Sequence, residues 1–386
     1  MIDIKYKSIY DRFIQKYENI HVNPWHQINK EELDIIYNNL VNKMDINDKY
    51  SFKYFMDYII KRLSGFEDAH TKYQNFSPIS LTFKKIDDEV LVSYPDNLRG
   101  YSLVSINNVP IDRIINELED VITYGTEGRR TCEIEKALFN KVSMFGLPSL
   151  RNFDELVYKI KDSNGNIIQT RITKDDEQYD DTGYKRYMYG NNTEYKIEDN
   201  CLVYNHSSVQ IHFKDKIEDS INRLNMEDLS NVDTIIIDLR GNWGGNSALN
   251  EPLFNFLKAH ADKKLICLTD YRIFSAGRYA LRDLINLGAT TIGEGISTPI
   301  NCFGNSHWCN IDNRMFSISE CYFNPFIGLS VSSKEEFNEK VTDEIRKPVI
   351  FHPDIEVKQT KEDFINNVDT VLTYAINYSR NPIVRS

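Results

Sequence analysis

The chain has 386 residues, too many for one ordinary hydrophobic core, so we expect two or three structural units. Its composition, 41% hydrophobic and 27% charged, is typical of a globular protein. The formal net charge of −11 disfavours non-specific nucleic-acid binding, which needs basic patches.

The N-terminus shows no secretory signal, because no uninterrupted apolar segment follows the first charged residues. No apolar run approaches the roughly 20 residues of a membrane span. We therefore expect a cytoplasmic protein with no membrane partner and no nucleic-acid partner.

The cysteines are scattered and form no C-x-x-C pair, so we expect reduced thiols, no metal and no cofactor. Cys302 and Cys309 lie close enough in sequence to leave a disulfide or a metal site as an alternative.

The first predicted region, residues 1–75, is helical. NKEELDIIYNNLVNKM places four apolar residues at roughly i, i+3, i+7 and i+8, and YSFKYFMDYIIKRLSGF repeats this pattern and ends near Gly65. EDAHTKYQNF then predicts an exit loop.

Short strands and turns predict a small β-rich unit over residues 76–178. Turns are expected at Asp87–Asp88, Pro95–Asp96 and Asn107–Asn108, and a helix over IDRIINELEDVI. In DELVYKIKDSNGNIIQTRITK, the Asn-Gly pair predicts a hairpin. The polar residues 175–195 are interpreted as a linker.

Residues 195–380 alternate between strand and helix patterns, which predicts an α/β domain. VDTIIIDLR is a nearly continuous apolar strand, typical of a parallel sheet covered on both faces. KLICLTD is the next strand, AGRYALRDLINLG a helix, and KEDFINNVDTVLTYAINYS the last helix.

A glycine-rich loop, GNWGG, follows the VDTIIIDLR strand. Without a Cβ, its glycines let the backbone approach a ligand closely, although a tight strand-to-helix turn has the same composition. The loop lacks the spacings of a P-loop and of a Rossmann fingerprint.

Ser275 precedes a predicted helix and is followed by Ala276 and Gly277. A serine at this place is commonly an N-cap. It is also suited to be a nucleophile, since the free N–H groups of a helix start can stabilise an oxyanion. A serine nucleophile needs a base, for which His70 is one of eight histidines available.

The chain resembles the family of C-terminal processing (tail-specific) serine peptidases in blocks that span about residues 65–378. The closer likeness is to the branch near the tricorn protease core and the retinoid-binding-protein modules. The blocks are, in order, EDAHTKY, GYSLVSINNVPIDRIINEL, VDTIIIDLRGNWGGN, YRIFSAGRYALRDLINLGATTIGEGISTPINCFGN and FHPDIEVKQTKEDFINNVDTVLTYAI.

This resemblance implies a catalytic α/β domain of the crotonase/ClpP-like type and a PDZ-like β-rich unit. It implies that Ser275 is the nucleophile and that the oxyanion hole draws on Gly244, Gly245 and Ala276. The implied substrate is a peptide or unfolded protein. The resemblance is compatible with a homo-oligomer and with a monomer.

The general base implied by the resemblance is His70. One branch of the family uses a lysine, but Pro299 stands at that position, so a Ser-Lys dyad is not expected. The tricorn-like branch has a histidine in a short D/S-x-H-T block, and Ala69 here replaces its serine. Lys347 replaces its glutamate, which leaves Glu344 as the candidate third member.

Three functions follow from these residues. The first is a serine endopeptidase in which Ser275 attacks a peptide carbonyl and His70 moves the proton. The second is an inactive relative that binds a peptide or an apolar ligand in the same cleft. The third is another acyl-transfer or hydrolase activity on the crotonase-like scaffold.

Overall fold

The structure, a computed structural model, describes residues 1–175, 182–189 and 194–380. Within them the helices are Ile4–Ile20 (α1), Lys30–Lys43 (α2), Lys49–Ser64 (α3), Ile111–Glu119 (α4), Glu127–Leu138 (α5), Lys141–Gly146 (α6), Thr182–Tyr189 (α7), Lys214–Leu224 (α8), Glu251–Ala259 (α9), Gly277–Asn286 (α10), Lys334–Lys340 (α11), Asp343–Arg346 (α12), Lys361–Ile365 (α13) and Thr370–Arg380 (α14).

The strands are Lys72–Gln74 (β1), Thr82–Ile86 (β2), Glu89–Tyr94 (β3), Ser102–Ile106 (β4), Val109–Pro110 (β5), Glu155–Lys161 (β6), Ile167–Thr173 (β7), Tyr195–Glu198 (β8), Cys201–Asn205 (β9), Thr234–Asp238 (β10), Lys264–Thr269 (β11), Thr290–Gly293 (β12), Cys302–Ile311 (β13), Arg314–Asn324 (β14), Leu329–Val331 (β15) and Ile355–Glu356 (β16). The fold is therefore α/β, as the sequence predicts.

The chain divides into two compact units. Unit 1 comprises residues 1–184 and 301–349, and unit 2 comprises residues 185–300 and 350–386. The division of the sequence into domains at 1–75, 76–178 and 195–380 stays a prediction, since compact units are not the same as independently folding domains.

Unit 1 contains two sheets. The smaller has the order β1-β14-β13, with β15 also paired to β14, and all of its pairs are antiparallel. The larger has the order β2-β3-β4-β6-β7, with β5 on β4. Its β2–β3, β4–β5 and β6–β7 hairpins confirm the turns predicted at Asp87–Asp88 and Asn107–Asn108 and the predicted Asn-Gly hairpin.

Unit 2 is built on a sheet with the order β16-β12-β11-β10-β9-β8. Its pairs are parallel except for β8–β9, which is antiparallel. A parallel sheet needs crossover connections, and the helices of unit 2 supply them. The predicted strands VDTIIIDLR and KLICLTD are β10 and β11, which lie side by side.

The residues of the parallel strands alternate between two apolar cores, because successive side chains point to opposite faces of a sheet. On one face, Ile235 and Ile237 of β10 pack with the apolar sides of α8, α9 and α10. On the other, Ile236 packs with Val371 and Ala375 of α14. This two-sided burial explains why the strands read as continuous apolar runs.

The predicted last helix is two helices, α13 and α14. Asn367 between them has a positive φ of 57°, which a continuous helix does not allow. The predicted linker 175–195 contains α7, and the rest of it lies largely outside the described residues. All six cysteines are buried free thiols, so the disulfide alternative for Cys302 and Cys309 is wrong.

Among the described residues, no helix is both long and apolar enough to cross a bilayer. The cellular location stays a prediction.

A fork of ion pairs connects the end of β10 to the start of α14. The Arg240 guanidinium donates to both carboxylate oxygens of Asp238, at 2.8 and 2.7 Å, and to both of Asp369, at 2.8 and 2.6 Å. Bidentate pairs of this kind are the stronger type of ion pair, because both geometry and charge are matched. The fork fixes the residue that immediately precedes the glycine-rich loop.

We expect Arg240→Met to lower the free energy of unfolding by about 3–5 kcal/mol, since Asp238 would be left buried without its partner. Arg223→Met is the matched control. Arg223 makes an exposed i,i+4 ion pair with Asp219, so this substitution should lower the free energy of unfolding by less than about 1 kcal/mol. Urea unfolding followed by circular dichroism measures both. Equal decreases in the free energy of unfolding for the two variants would contradict the role of these ion pairs.

Candidate active site

Two adjacent parallel strands of unit 2 end at the same edge of the sheet and lead into the two predicted motifs. The strand β10 runs into the glycine-rich loop at Gly241, and β11 runs into the segment that contains Ser275. In open α/β sheets, the carboxyl ends of parallel strands are the usual place for ligand sites. The order of the strands therefore brings the two motifs together.

Ser275 has a left-handed backbone, with φ of 51°. For a residue with a Cβ this conformation costs on the order of 1–2 kcal/mol, so surrounding contacts have to hold it. The N-cap of α10 is Ala276, and no side chain caps this helix. The interpretation of Ser275 as an N-cap is therefore wrong: it occupies a strained strand-to-helix turn one residue earlier.

The glycine-rich loop packs directly against this turn. Gly244 has φ of 88°, and a Cβ placed on it would lie 2.6 Å from the backbone nitrogen of Ala276 and 2.7 Å from Cβ of Ser275. Only glycine fits there without displacing the turn. The predicted residues Ser275, Ala276 and Gly244 are thus neighbours in unit 2.

Asn242 organises the contact between the loop and the turn, and it is fully buried. Its side-chain oxygen accepts from the N–H of Gly244 at 2.9 Å, and its side-chain nitrogen donates to the carbonyl of His206 at 2.7 Å. Its own carbonyl accepts from the N–H of Phe274 at 2.9 Å. One amide side chain and its backbone therefore fix both segments.

The N–H of Gly244 is engaged by Asn242, whereas two other N–H groups are not engaged. Within residues 1–175, 182–189 and 194–380, no protein acceptor takes the N–H of Gly245 or that of Ala276. The next three N–H groups, of Gly277, Arg278 and Tyr279, donate back to the carbonyls of the turn. Two backbone donors are therefore available near Ser275 for an anionic oxygen.

His70 belongs to unit 1, where it is buried in a loop over residues 67–71. The loop adds to the edge of β13 through a parallel bridge between Asp68 and Phe303, and the N–H of Phe303 donates to the carbonyl of Glu67 at 3.0 Å. The hydroxyl of Ser317 on β14 donates to the carbonyl of His70 at 2.6 Å. The small sheet of unit 1 thus positions the histidine.

The tautomer of His70 follows from one hydrogen bond. Its Nδ1 lies 3.2 Å from the carbonyl oxygen of Phe303, which can only accept. Nδ1 therefore carries the proton, and in the neutral ring Nε2 has the lone pair that a general base needs. A backbone carbonyl provides the tautomer control that an acidic residue provides in a serine triad.

Asp68 holds the backbone of this loop. One of its carboxylate oxygens accepts from the N–H groups of His70 and Thr71, at 2.9 and 3.0 Å, and from the hydroxyl of Ser319 at 2.6 Å. The other oxygen lies 3.4 Å from Nε2 of His21. The turn that presents the imidazole depends on this carboxylate.

The pKa of Asp68 lies below its ordinary value. Complete burial would raise this pKa, but hydrogen bonding and attraction to His21, with the hydrogen bonds from Ser319 and Thr71, outweigh it and lower the pKa. The N–H of Asn23 donates to Nδ1 of His21 at 3.0 Å, which leaves Nε2 as the ring nitrogen that carries a proton towards Asp68.

Glu344, the sequence candidate for a third catalytic member, is on α12 with a side chain that is 78% exposed, and it pairs with Lys347. The neighbouring Arg346 pairs with the buried Glu67 at 2.7 Å. The group placed at Nδ1 of His70 is the carbonyl of Phe303.

Sequence reasoning missed Asp68, Asn242 and the Phe303 carbonyl. Asp68 and Asn242 carried a local signal, because Asx side chains often accept from an N–H two residues later. The Phe303 carbonyl carried no signal, since it is 233 residues from His70 along the chain. Among the described residues, no group of three or more His, Cys, Asp or Glu side chains is arranged to hold a metal ion.

Solved structures with a similar fold include mature CPAF. One crystal structure matches with a TM-score of 0.61 and 10% identity, covering 99% of this chain and 100% of CPAF. Mature CPAF complexed with lactacystin matches with a TM-score of 0.62 and 9% identity, covering 97% and 96%. The photosystem II D1 C-terminal processing protease matches with a TM-score of 0.46 and 9% identity, covering 98% of each chain.

At such low identity, the likeness to CPAF shows the fold alone. No protein-family model matches the sequence, and neither does any curated protein.

We expect Gly244→Ala to destabilise the protein more than Gly241→Ala does, by about 1–3 kcal/mol. Both glycines have positive φ, so the backbone strain is shared. A Cβ at Gly241 would meet only the flexible end of Arg272, at 3.5 Å, whereas one at Gly244 would meet backbone atoms of the Ser275 turn. Equal losses in urea unfolding would contradict the close packing.

We expect Asp68→Asn to lower the free energy of unfolding at pH 7 by about 1–3 kcal/mol, because a buried ionised acceptor is replaced by a neutral one. The folded-state pKa is below the unfolded value of about 3.9, so this stabilisation is present above that pH and is lost as the pH falls towards the folded-state pKa. The difference between the two proteins should therefore shrink below about pH 4.

Urea unfolding at pH 7, 5, 4 and 3 measures this difference. Asp11→Asn is the control, because Asp11 makes an exposed pair with Lys7, and its change should stay within about 0.5 kcal/mol. A loss for Asp68→Asn that is the same at pH 3 and pH 7 would contradict the assignment of an ionised Asp68.

Proposed function

We propose that this protein is a serine-type endopeptidase, a hydrolase with Ser275 as its nucleophile and His70 as its general base. The observation that supports it most is the left-handed conformation of Ser275 at a strand-to-helix turn. A strained turn of this kind presents the nucleophile in α/β-hydrolases, where it exposes the hydroxyl beside backbone donors. The proposal also rests on the sequence resemblance to the C-terminal processing peptidases.

In acylation, Oγ of Ser275 forms a bond to the peptide carbonyl carbon while its proton passes to Nε2 of His70. The carbonyl oxygen becomes an oxyanion, for which we propose the N–H groups of Gly245 and Ala276 as donors. Gly244 is the third predicted member, and its proposed part is to shape the loop, since its N–H donates to Asn242. The C–N bond then breaks and the imidazolium returns its proton to the leaving amine.

In deacylation, a water molecule attacks the ester carbonyl and gives a proton to the same imidazole nitrogen. The bond to Oγ breaks, Ser275 regains the proton, and a carboxylic acid leaves. The Phe303 carbonyl supports both steps, since it keeps the proton of the neutral ring on Nδ1 and accepts from it when the ring is charged. The proposed acylation and deacylation steps use no cofactor and no metal.

We propose peptides and unfolded proteins as substrates. The basis is the sequence resemblance and the fold of CPAF, one of whose structures is a complex with lactacystin. A homo-oligomer remains open.

We also propose that unit 2 is a crotonase/ClpP-like catalytic domain and that the β2–β7 sheet is PDZ-like. The helix α5 lies beside the edge strand β2, where a PDZ-type unit would add a peptide strand. Here, however, Glu135 of α5 accepts from the N–H of Lys85 on that strand at 2.7 Å. The N–H of Lys85 is therefore already bonded within the unit and cannot also pair with an added peptide strand.

The test is labelling with a fluorophosphonate, which reacts with activated serines. We expect the wild-type protein to be labelled and Ser275→Ala to be unlabelled. We expect His70→Ala to be labelled at least about 100-fold more slowly, because loss of a general base lowers a reaction rate by roughly 10²- to 10⁴-fold. Ser247→Ala and His307→Ala, which change an exposed serine and an exposed histidine, are the matched controls and should label normally.

Equal labelling of the wild-type protein and Ser275→Ala would reject this mechanism. A folded wild-type protein that is unlabelled but binds an unfolded casein-derived peptide would favour the inactive binding protein. Hydrolysis of a thioester without cleavage of casein would favour another activity on the same scaffold.

A further inference from the structure

One short segment of unit 2, residues 297–300, contacts the Ser275 turn on both sides of the serine. Before it, the carbonyl of Ile273 accepts from the N–H of Ser297 at 3.2 Å. After it, the side chain of Arg278 reaches the other end of the same segment. The strained turn is therefore fastened at two points, two residues before and three residues after Ser275.

The contacts of Arg278 are directed at backbone carbonyls. Its Nη1 donates to the carbonyl of Pro299 at 3.0 Å and to that of Ile300 at 3.1 Å. Its Nε lies 3.4 Å from the carbonyl of Ser275, a weak third contact. A planar guanidinium with several fixed donors can serve these carbonyls at once, which an ammonium group cannot do with the same geometry.

Arg278 is an unfavourable residue for its position in other respects. Its side chain has no exposed surface, and burial of a cation costs free energy. It is also in the first turn of α10, where the partial positive charge of a helix start disfavours a cation. Residues that break local rules in this way are expected at functional sites.

We propose that Arg278 is a positioning residue that holds Ser275 in its left-handed, reactive conformation. The guanidinium fixes the first turn of α10 to residues 299–300, while the Ser297–Ile273 hydrogen bond fixes the end of the approach from β11. With both ends held, the turn cannot relax to a right-handed backbone. Relaxation would rotate Oγ and the N–H of Ala276 relative to each other.

The proposal deepens the proposed function and rests on it for its kinetic readout. A nucleophile that moves by about 1 Å can lose 10²-fold in rate. We expect Arg278→Met to lower the maximal rate of fluorophosphonate labelling, per folded molecule, by about 10- to 100-fold. The half-saturating probe concentration should change little, since Arg278 is buried away from solvent.

Arg278→Lys is the rescue variant. A lysine can reach one carbonyl but lacks the fork, so we expect it to label about 3- to 10-fold more slowly than the wild-type protein and faster than Arg278→Met. Arg282→Met is the matched control on the same helix, because Arg282 pairs with Asp283 and should label like the wild-type protein. Thermal unfolding of each variant gives its folded fraction.

A folded Arg278→Met that labels within twofold of the wild-type protein would overturn the proposal, whatever its stability. If Arg278→Met does not fold, the lysine variant decides: an unchanged labelling rate overturns the proposal, and a threefold or larger loss supports it.

A crystal structure of the lysine or methionine variant provides a readout that does not depend on catalysis. The proposal expects Ser275 to leave positive φ, or residues 297–300 to shift away from the turn. An unchanged turn overturns it. If the wild-type protein is not labelled at all, the peptidase proposal fails, and this structural comparison still judges the role of Arg278.

Discussion

The candidate site depends on one backbone constraint, the left-handed conformation of Ser275 where β11 leads into α10. A side-chain-bearing residue stays in that conformation only if its surroundings hold it. The missing Cβ of Gly244 makes room for the turn, and the buried Asn242 joins the glycine-rich loop to it. The order of the parallel strands is what allows these two loops to meet.

Unit 1 imposes a comparable constraint on His70, but by different means. There the polar groups of a loop are satisfied by a buried carboxylate and by two serines of β14, and a carbonyl of β13 sets the tautomer. The imidazole is thus oriented by backbone and hydroxyl groups. A backbone carbonyl can therefore control which nitrogen of a histidine ring carries the proton without an acidic partner.

The fold was largely predictable because its signals are local. Apolar runs identified β10 and β11, turn residues identified the hairpins of unit 1, and the periodicity of α3 identified a helix that ends at Gly65. The break between α13 and α14 was missed because the left-handed Asn367 looks like any polar helix residue in sequence. The place of β13 and β14 in a sheet with β1 was not predicted, since that pairing joins distant parts of the chain.

Of the candidate site, the sequence resemblance grouped Ser275, Gly244 and Ala276, and the structure brings these three residues together in unit 2. Their catalytic roles stay proposals. The N-cap interpretation of Ser275 failed because an N-cap serine and a serine one residue earlier have the same flanking pattern. The contacts of Asp68 and Arg278 depend on tertiary packing, which no local pattern records.

The chain enters unit 1 twice, which has a consequence for biosynthesis. The loop around His70 is translated early, but its partners Phe303, Ser317 and Ser319 follow more than 230 residues later. At the usual 5–20 residues per second, this loop waits roughly 10–50 s on the ribosome for the strands that order it. A nascent chain that already contains Ser275 can therefore still lack the strands that order the loop around His70.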